Sequence, residues 1–323
     1  MSGGRRCATC GEPLSGTAVF CPACGAAAPT QLLSDAQAQE DAQEDAFRSR
    51  LQQALGAGYH LRERLGRGGF GVVFAAWDRQ LERDVAVKAI RHDLFPTPEL
   101  LERFKREARV VAKLRHPNIV PLYAVGDADG IAYMIMPRIA GETLRVTLER
   151  EGPMEVEPAI RISVGAARAL QVAHAESVVH RDVKPENIML EGAERRVSLM
   201  DFGIARVNDG GAQTRTGFVI GTPAYMSPEQ ARGDRAVDHR TDLYSLGAVT
   251  YEMLSGSRPF AAESLNELVY LQVTAEPAPL RDRRPDVPAD VEAVVMRCLA
   301  KSPDDRWPSA AELADTLRRC ACL

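Results

Sequence analysis

Apolar positions change their period along the chain, and each change marks an element. Val72, Val73 and Phe74 predict a strand returning from the turn Leu65-Gly66-Arg67-Gly68-Gly69-Phe70-Gly71. The next strand, Val85-Ala86-Val87-Lys88-Ala89-Ile90, is apolar except for one lysine, and a buried ammonium needs a partner. From Thr97 the period becomes helical. Leu100, Leu101, Phe104, Ala108, Val111 and Leu114 form one stripe, with Thr97 as N-cap, Pro98 at the first helical position and a stop before Pro117. Glu107 borders that stripe and is placed to meet Lys88; Glu102 is the competing choice, and a solvated helix-face carboxylate the plain alternative. Further on, the pattern predicts a strand from Tyr133, a helix over about 157–175 that is apolar on most faces, and a mostly apolar helix opened by Asp242. Ahead of these elements, Phe47 to Leu55 predicts a short helix ending at Gly56.

Composition narrows this picture. A chain of 323 residues, 45% apolar and 26% charged, has room for a two-lobed domain and something small beside it. The net charge of −4 speaks against nucleic-acid or anionic-membrane partners, which call for a basic patch. No apolar run predicts a membrane span, and the start Met1 to Cys7 lacks a signal peptide's apolar segment, so a cytoplasmic protein is expected. Cys7, Cys10, Cys21 and Cys24 form two C-x-x-C pairs, each followed by Gly, and four thiolates in that spacing can close a tetrahedral Zn²⁺ site. This predicts a zinc ribbon over 1–27 with structural Zn²⁺; a redox dithiol or two disulfides are the alternatives. Residues 28–58 read as an acidic Ala/Gln-rich linker. What the ribbon meets stays open between a docking partner, the chain itself, and a metal or redox signal.

The chemistry concentrates in His180-Arg181-Asp182-Val183-Lys184-Pro185-Glu186-Asn187, followed by Asp201-Phe202-Gly203. Phosphoryl transfer from ATP needs a carboxylate to orient the attacking hydroxyl and oxygen ligands for Mg²⁺. Asp182 suits the first task and Asn187 and Asp201 the second, while Lys184 offers a cation to the transferred group. Glycines at 66, 68, 69 and 71 let backbone N–H groups approach phosphates. A Gly-x-Gly-x-x-Gly alone could open a dinucleotide-binding unit, but a helix would then follow, and Val72 to Phe74 favour a strand.

In identity, order and spacing these segments resemble bacterial Ser/Thr protein kinases of the eukaryotic-like class, over about Tyr59 to Leu317. The resemblance implies an α+β, bilobal protein-kinase fold at 59–318, with a small mainly β lobe at 59–136 and a larger mainly α lobe at 141–318, preceded by the ribbon. It also implies transfer from ATP, with Mg²⁺ (or Mn²⁺), to Ser or Thr of protein substrates, and autophosphorylation at Thr214 or Thr216, which a homodimer would perform in trans. Leu65, Gly66, Arg67, Gly68, Gly69 and Gly71 would cover the nucleotide. Lys88, paired with Glu107, would position its phosphates; the Pro137 carbonyl and Ile139 N–H would bond the adenine, between Val73 and Ala86 above and Met189 below. A phosphate on Thr214 or Thr216 would pair with Arg181, the alternative being two ordinary exposed threonines. Gly221 to Glu229 resembles the family's substrate-docking segment, with Ser227 in place of its usual Ala, and Thr222 with Lys184 favours aliphatic hydroxyls. Glu229 is expected to pair with Arg306, and Asp242 to brace the catalytic loop. A pseudokinase scaffold and a small-molecule kinase are the rival readings.

Overall fold

The computed structural model describes residues 9, 10, 12, 23, 24, 44–68, 71–90, 97–128, 130–202, 223–234 and 236–320. Two compact units divide the chain, Met1–Gly56 and Ala57–Leu323. In the first, Cys10 and Cys24 each stand exposed in a turn, while Cys7 and Cys21 lie outside the described residues. A helix over 44–55 (α1) follows, as the pattern predicts, and Gln52 Nε2 donates to the Gly56 carbonyl at its end (3.3 Å).

The second unit opens with five antiparallel strands, β1 (Tyr59–Gly68), β2 (Gly71–Asp78), β3 (Arg83–Ile90), β4 (Ala124–Ala128) and β5 (Ile131–Pro137), in the order β1-β2-β3-β5-β4. β3 is central, so its valines bury completely and Lys88 stands opposite Val73 of β2 and Met134 of β5. At Gly71 a Cβ would come within 2.0 Å of the Ala89 carbonyl oxygen. Only glycine lets β2 close against β3 there. Helix α2 (Pro98–Val111) begins where Thr97 and Pro98 predict, and the apolar stripe buries Phe104, Ala108 and Val111.

Beyond β5 the chain is mainly helical: α3 (Leu144–Glu151), α4 (Val156–Ala175), α5 (Pro228–Arg232), α6 (Arg240–Ser255), α7 (Leu265–Thr274), α8 (Leu280–Arg283), α9 (Ala289–Cys298) and α10 (Ala310–Cys320). A small antiparallel sheet, β6 (Gly141–Thr143), β7 (Ile188–Glu191) and β8 (Arg196–Leu199), lies among them. α6 is buried from Thr241 to Leu254, as an all-round apolar helix must be. A Cβ on Gly247 would stand 2.4 Å from that of Cys298, so glycine sets how closely α6 and α9 approach. One core joins the lobes, running from Ile90, Phe104 and Met134 through Phe202 to Leu170 and Leu243. Among the described residues no helix is long and apolar enough to cross a membrane.

Candidate active site

The loop from His180 to Asn187 joins α4 to β7, and Met200, Asp201 and Phe202 follow β8, so the small sheet brings the two stretches side by side. Asp242, in the first turn of α6, fixes the loop from beneath. Its Oδ2 accepts from the His180 amide (2.8 Å) and meets His174 Nε2 (2.8 Å), and its Oδ1 accepts from the Arg181 amide (2.7 Å). Three partners compensate a fully buried carboxylate, which carries out the bracing expected of Asp242.

The His180 ring locks the loop to the neighbouring segment. Nδ1 accepts the Asp182 amide (3.2 Å), which leaves Nε2–H to donate to the Met200 carbonyl (2.9 Å), and the ring packs 4.7 Å from that of Phe202. Burial lowers its pKa, outweighing the pull of Asp242, so the imidazole is neutral.

Within this frame Asp182, Lys184 and Asn187 converge. Lys184 Nζ lies 2.9 Å from Asp182 Oδ2, and Asn187 Nδ2 donates to the Asp182 carbonyl (2.7 Å) and to Oδ2 (3.1 Å). One carboxylate oxygen is therefore held by two donors. The Asn187 carbonyl accepts from the Met200 amide (3.0 Å), which draws Asp201 towards the same loop. Arg181 and Asp201 have left-handed backbones (φ +63° and +61°), a strain that clusters at functional sites.

Lys88 corrects one expectation. Its ammonium pairs with Asp201 Oδ2 at 2.7 Å, whereas Glu107 bonds Arg103 Nε at 3.1 Å and Glu102 takes Lys105 (3.0 Å). The reason is local. Lys88 is 9% exposed and takes the carboxylate that the end of β8 delivers, while Glu107 sits on the half-exposed side of α2 one turn from a guanidinium.

Around this centre, β1 carries Gly66, Arg67 and Gly68 opposite Val73, Val72 and Gly71, with Leu65 44% exposed although apolar. Gly69 lies outside the described residues. Ala86 stands opposite Met136, and Val85 opposite Pro137, where β5 ends. Ile139 accepts from the Gly141 amide at its carbonyl (3.1 Å), and Met189 lies opposite Thr143 on β6. Behind β5 a cavity is lined by Val111, Leu122, Met134, Met136, Asp201 and Phe202.

Past Phe202 the described chain resumes at Pro223, so Gly203, Thr214, Thr216, Gly221 and Thr222 lie outside it. Ser227 caps α5 in a reciprocal capping box with Gln230, a role its sequence position did not reveal. Gln230 Nε2 in turn donates to the Arg181 carbonyl (2.8 Å), tying α5 to the loop that carries Asp182. Glu229 and Arg306 form the expected pair, bidentate at 2.7 Å on each arm. The guanidinium's remaining donors reach the carbonyls of Ala300, Lys301 and Arg240, and its plane lies over Tyr244. Burial alone would raise the Glu229 carboxyl, but Arg306 holds it below the ordinary range.

Sequence reasoning missed a further cluster. Arg145 of α3 reaches Glu186 (3.1 Å), Glu252 (3.1 Å) and the Tyr225 hydroxyl, and that hydroxyl donates to Glu252 (2.5 Å). Only the tertiary fold joins α3, α6 and the two loops, so no local pattern announces it.

The comparisons with known proteins agree with this geometry. Residues 59–316 match the protein kinase domain family. Serine/threonine-protein kinase PknB of Mycobacterium leprae is 46% identical over 266 residues, covering 80% of this chain and 42% of its own length. Serine/threonine-protein kinase pkn3 of Myxococcus xanthus is 41% identical over 264 residues, covering 79% and 48%. The chain thus spans about half the length of these relatives. The crystal structure of the Mycobacterium tuberculosis PknI kinase domain is similar with a TM-score of 0.66 at 28% identity, covering 82% of this chain and 96% of that one.

Proposed function

The chain belongs to the protein kinase domain family, and on that premise we propose that it transfers the γ-phosphoryl group of ATP to Ser or Thr hydroxyls of proteins. The observation that carries this reading is the clamp on Asp182, whose Oδ2 is fixed by Lys184 and Asn187. A carboxylate held this way can orient an incoming hydroxyl and accept its proton, with Lys184 placed to meet the charge on the transferred group. Lys88 takes the α and β phosphates, under a cover formed by Leu65, Gly66, Arg67, Gly68, Gly69 and Gly71. The adenine meets the Pro137 carbonyl and the Ile139 amide, between Val73, Ala86 and Met189.

The donor set suits a hard divalent cation. Asn187 uses Nδ2 on Asp182 and keeps Oδ1 as an acceptor, and Asp201 meets Lys88 through Oδ2 alone. Asn187 and Asp201 would hold Mg²⁺ (or Mn²⁺), which supplies neutralisation of phosphate charge when bound.

Thr214 and Thr216 are the autophosphorylation sites in this reading. Its support is Arg181, whose Nε is buried without a hydrogen-bond partner among the described residues, as a donor waiting for an anion would be. The test is labelled ATP with Mg²⁺ on wild type beside Asp182→Asn, followed by phosphosite mapping. Label on Thr214 or Thr216 in wild type, reduced at least ~100-fold in the variant, is the expected outcome. Nucleotide binding with no label on either protein would point to a scaffold instead.

We propose separately that Cys7, Cys10, Cys21 and Cys24 hold structural Zn²⁺ in a ribbon that docks a partner, in a cytoplasmic protein. The support is the donor set and the matching turns at Cys10 and Cys24, the second cysteine of each pair. Metal analysis should find about one zinc per chain, lost in Cys10→Ser. Metal-free protein in which Cys7, Cys10, Cys21 and Cys24 all react as free thiols would remove the ribbon.

A further inference from the structure

We infer that Gln272, a buried side chain of α7, is a positioning residue for the protein acceptor; the inference rests on the phosphotransferase reading above. Gln272 is 1% exposed on a helix that shows Leu265 and Tyr270 to the surface. Its Oε1 accepts from the Tyr244 hydroxyl (2.7 Å), and its Nε2 donates to the carbonyls of Pro223 (3.1 Å) and Ala224 (2.8 Å). The amide has one workable orientation, because the opposite one would set its oxygen against two carbonyl oxygens. Its own backbone carbonyl accepts from Lys301 Nζ (2.9 Å), whose ammonium lies 4.3 Å from the Phe260 ring centre. The residue is thus held at both ends.

Next along the strip, the Tyr225 carbonyl accepts from Ser245 Oγ of α6 (2.7 Å). Three successive carbonyls, at 223, 224 and 225, therefore take donors from buried side chains. Such a backbone cannot rotate a peptide without losing a bond. The strip and helix α5 after it are tied to the loop that carries Asp182 by two links. Gln230 bonds the Arg181 carbonyl, and Tyr225 reaches Glu186 of the catalytic loop by way of Arg145. Because Gly221 to Glu229 resembles a substrate-docking segment, a polypeptide presenting a hydroxyl to Asp182 would lie across these residues, and a nucleotide held at Lys88 and β1 would not. Gln272 therefore acts on acceptor binding through Pro223 and Ala224, without contact to ATP.

The test is steady-state kinetics of the full chain with two acceptors, a peptide of residues 208–222 and the Asp182→Asn chain. Gln272→Leu takes its donor from the Ala224 carbonyl and leaves Pro223 only the Met226 amide (3.1 Å), and should raise the acceptor KM about tenfold, with the ATP KM unmoved. Gln272→His, whose ring N–H restores a donor, should recover most of that change. A merely structural role would lower kcat and the unfolding midpoint and leave the acceptor KM alone, and that result overturns the inference. If Gln272→Leu does not fold, Tyr244→Phe carries the test by removing one hydroxyl; a rise of about threefold supports the inference and an unchanged KM overturns it. Wild-type enzyme that labels neither acceptor overturns the phosphotransferase reading itself, and the inference with it.

Discussion

The ring of His180 already uses both nitrogens, one to donate to Met200 and one to accept from Asp182, so it has no place for a second proton. The unfolded chain titrates near pH 6.5, while burial lowers the folded ring's pKa from that value. Below pH ~6.5 the unfolded chain takes up a proton that the folded one refuses, and stability should fall by up to ~1.4 kcal/mol per pH unit. Denaturant midpoints at two pH values check this, and His180→Gln should flatten the slope. Glu229 follows the other branch. Its carboxyl is held low by Arg306, so the pair's stability is present above the unfolded pKa of about 4.3 and is lost as pH falls further. Glu229→Gln at neutral pH should cost about 3–5 kcal/mol, because it strands a fully buried guanidinium. Lys88 shows where legibility stops at this scale. One lysine in an apolar strand announces that a partner exists, but which carboxylate wins depends on where α2 and β8 end up, and the sequence carries no distance.

Among elements, β2, β3 and β5 were legible as short apolar, β-branched runs and the longer helices by period 3.6, and α2 begins at its Thr-Pro signal. Short elements were not. α5 owes its start to the Ser227–Gln230 box, and Ser227→Ala, although it restores the residue common in the family, should lower stability by about 1 kcal/mol in a thermal melt. The α6–α9 contact gives a sharper test. Ala is the better helix former by about 1 kcal/mol, yet a Cβ at 247 would meet Cys298 at 2.4 Å. Overpacking of about 1–3 kcal/mol should win, so Gly247→Ala destabilises. Cys298→Gly in the same chain should return part of the loss, which a double-mutant cycle of unfolding midpoints would reveal.

For the whole molecule, the motifs of the catalytic centre could be read from the chain because each keeps its chemistry within a few residues. Asp182, Lys184 and Asn187 converge inside one loop, and Asp242 needed only a helix start to brace it. The Arg145 cluster and Gln272 could not be read, since each draws on helices and loops far apart in sequence. A lone glutamine inside Leu268-Val269-Tyr270-Leu271-Gln272-Val273 was the one available signal, of the same kind as Lys88 in its strand. Burial of a polar group thus foretells a network without foretelling its members.

The Lys88–Asp201 pair has a consequence for how such a chain ages under selection. An ammonium in a dry strand and an aspartate on a left-handed backbone are each less stable than a plain substitute. Lys88→Met together with Asp201→Gly should raise the unfolding midpoint by the equivalent of about 1–4 kcal/mol while abolishing transfer. On the proposed phosphotransferase reading, thermal selection without an activity screen would drift toward a silent, sturdier descendant, and demand for phosphate transfer would be what keeps these two residues in place.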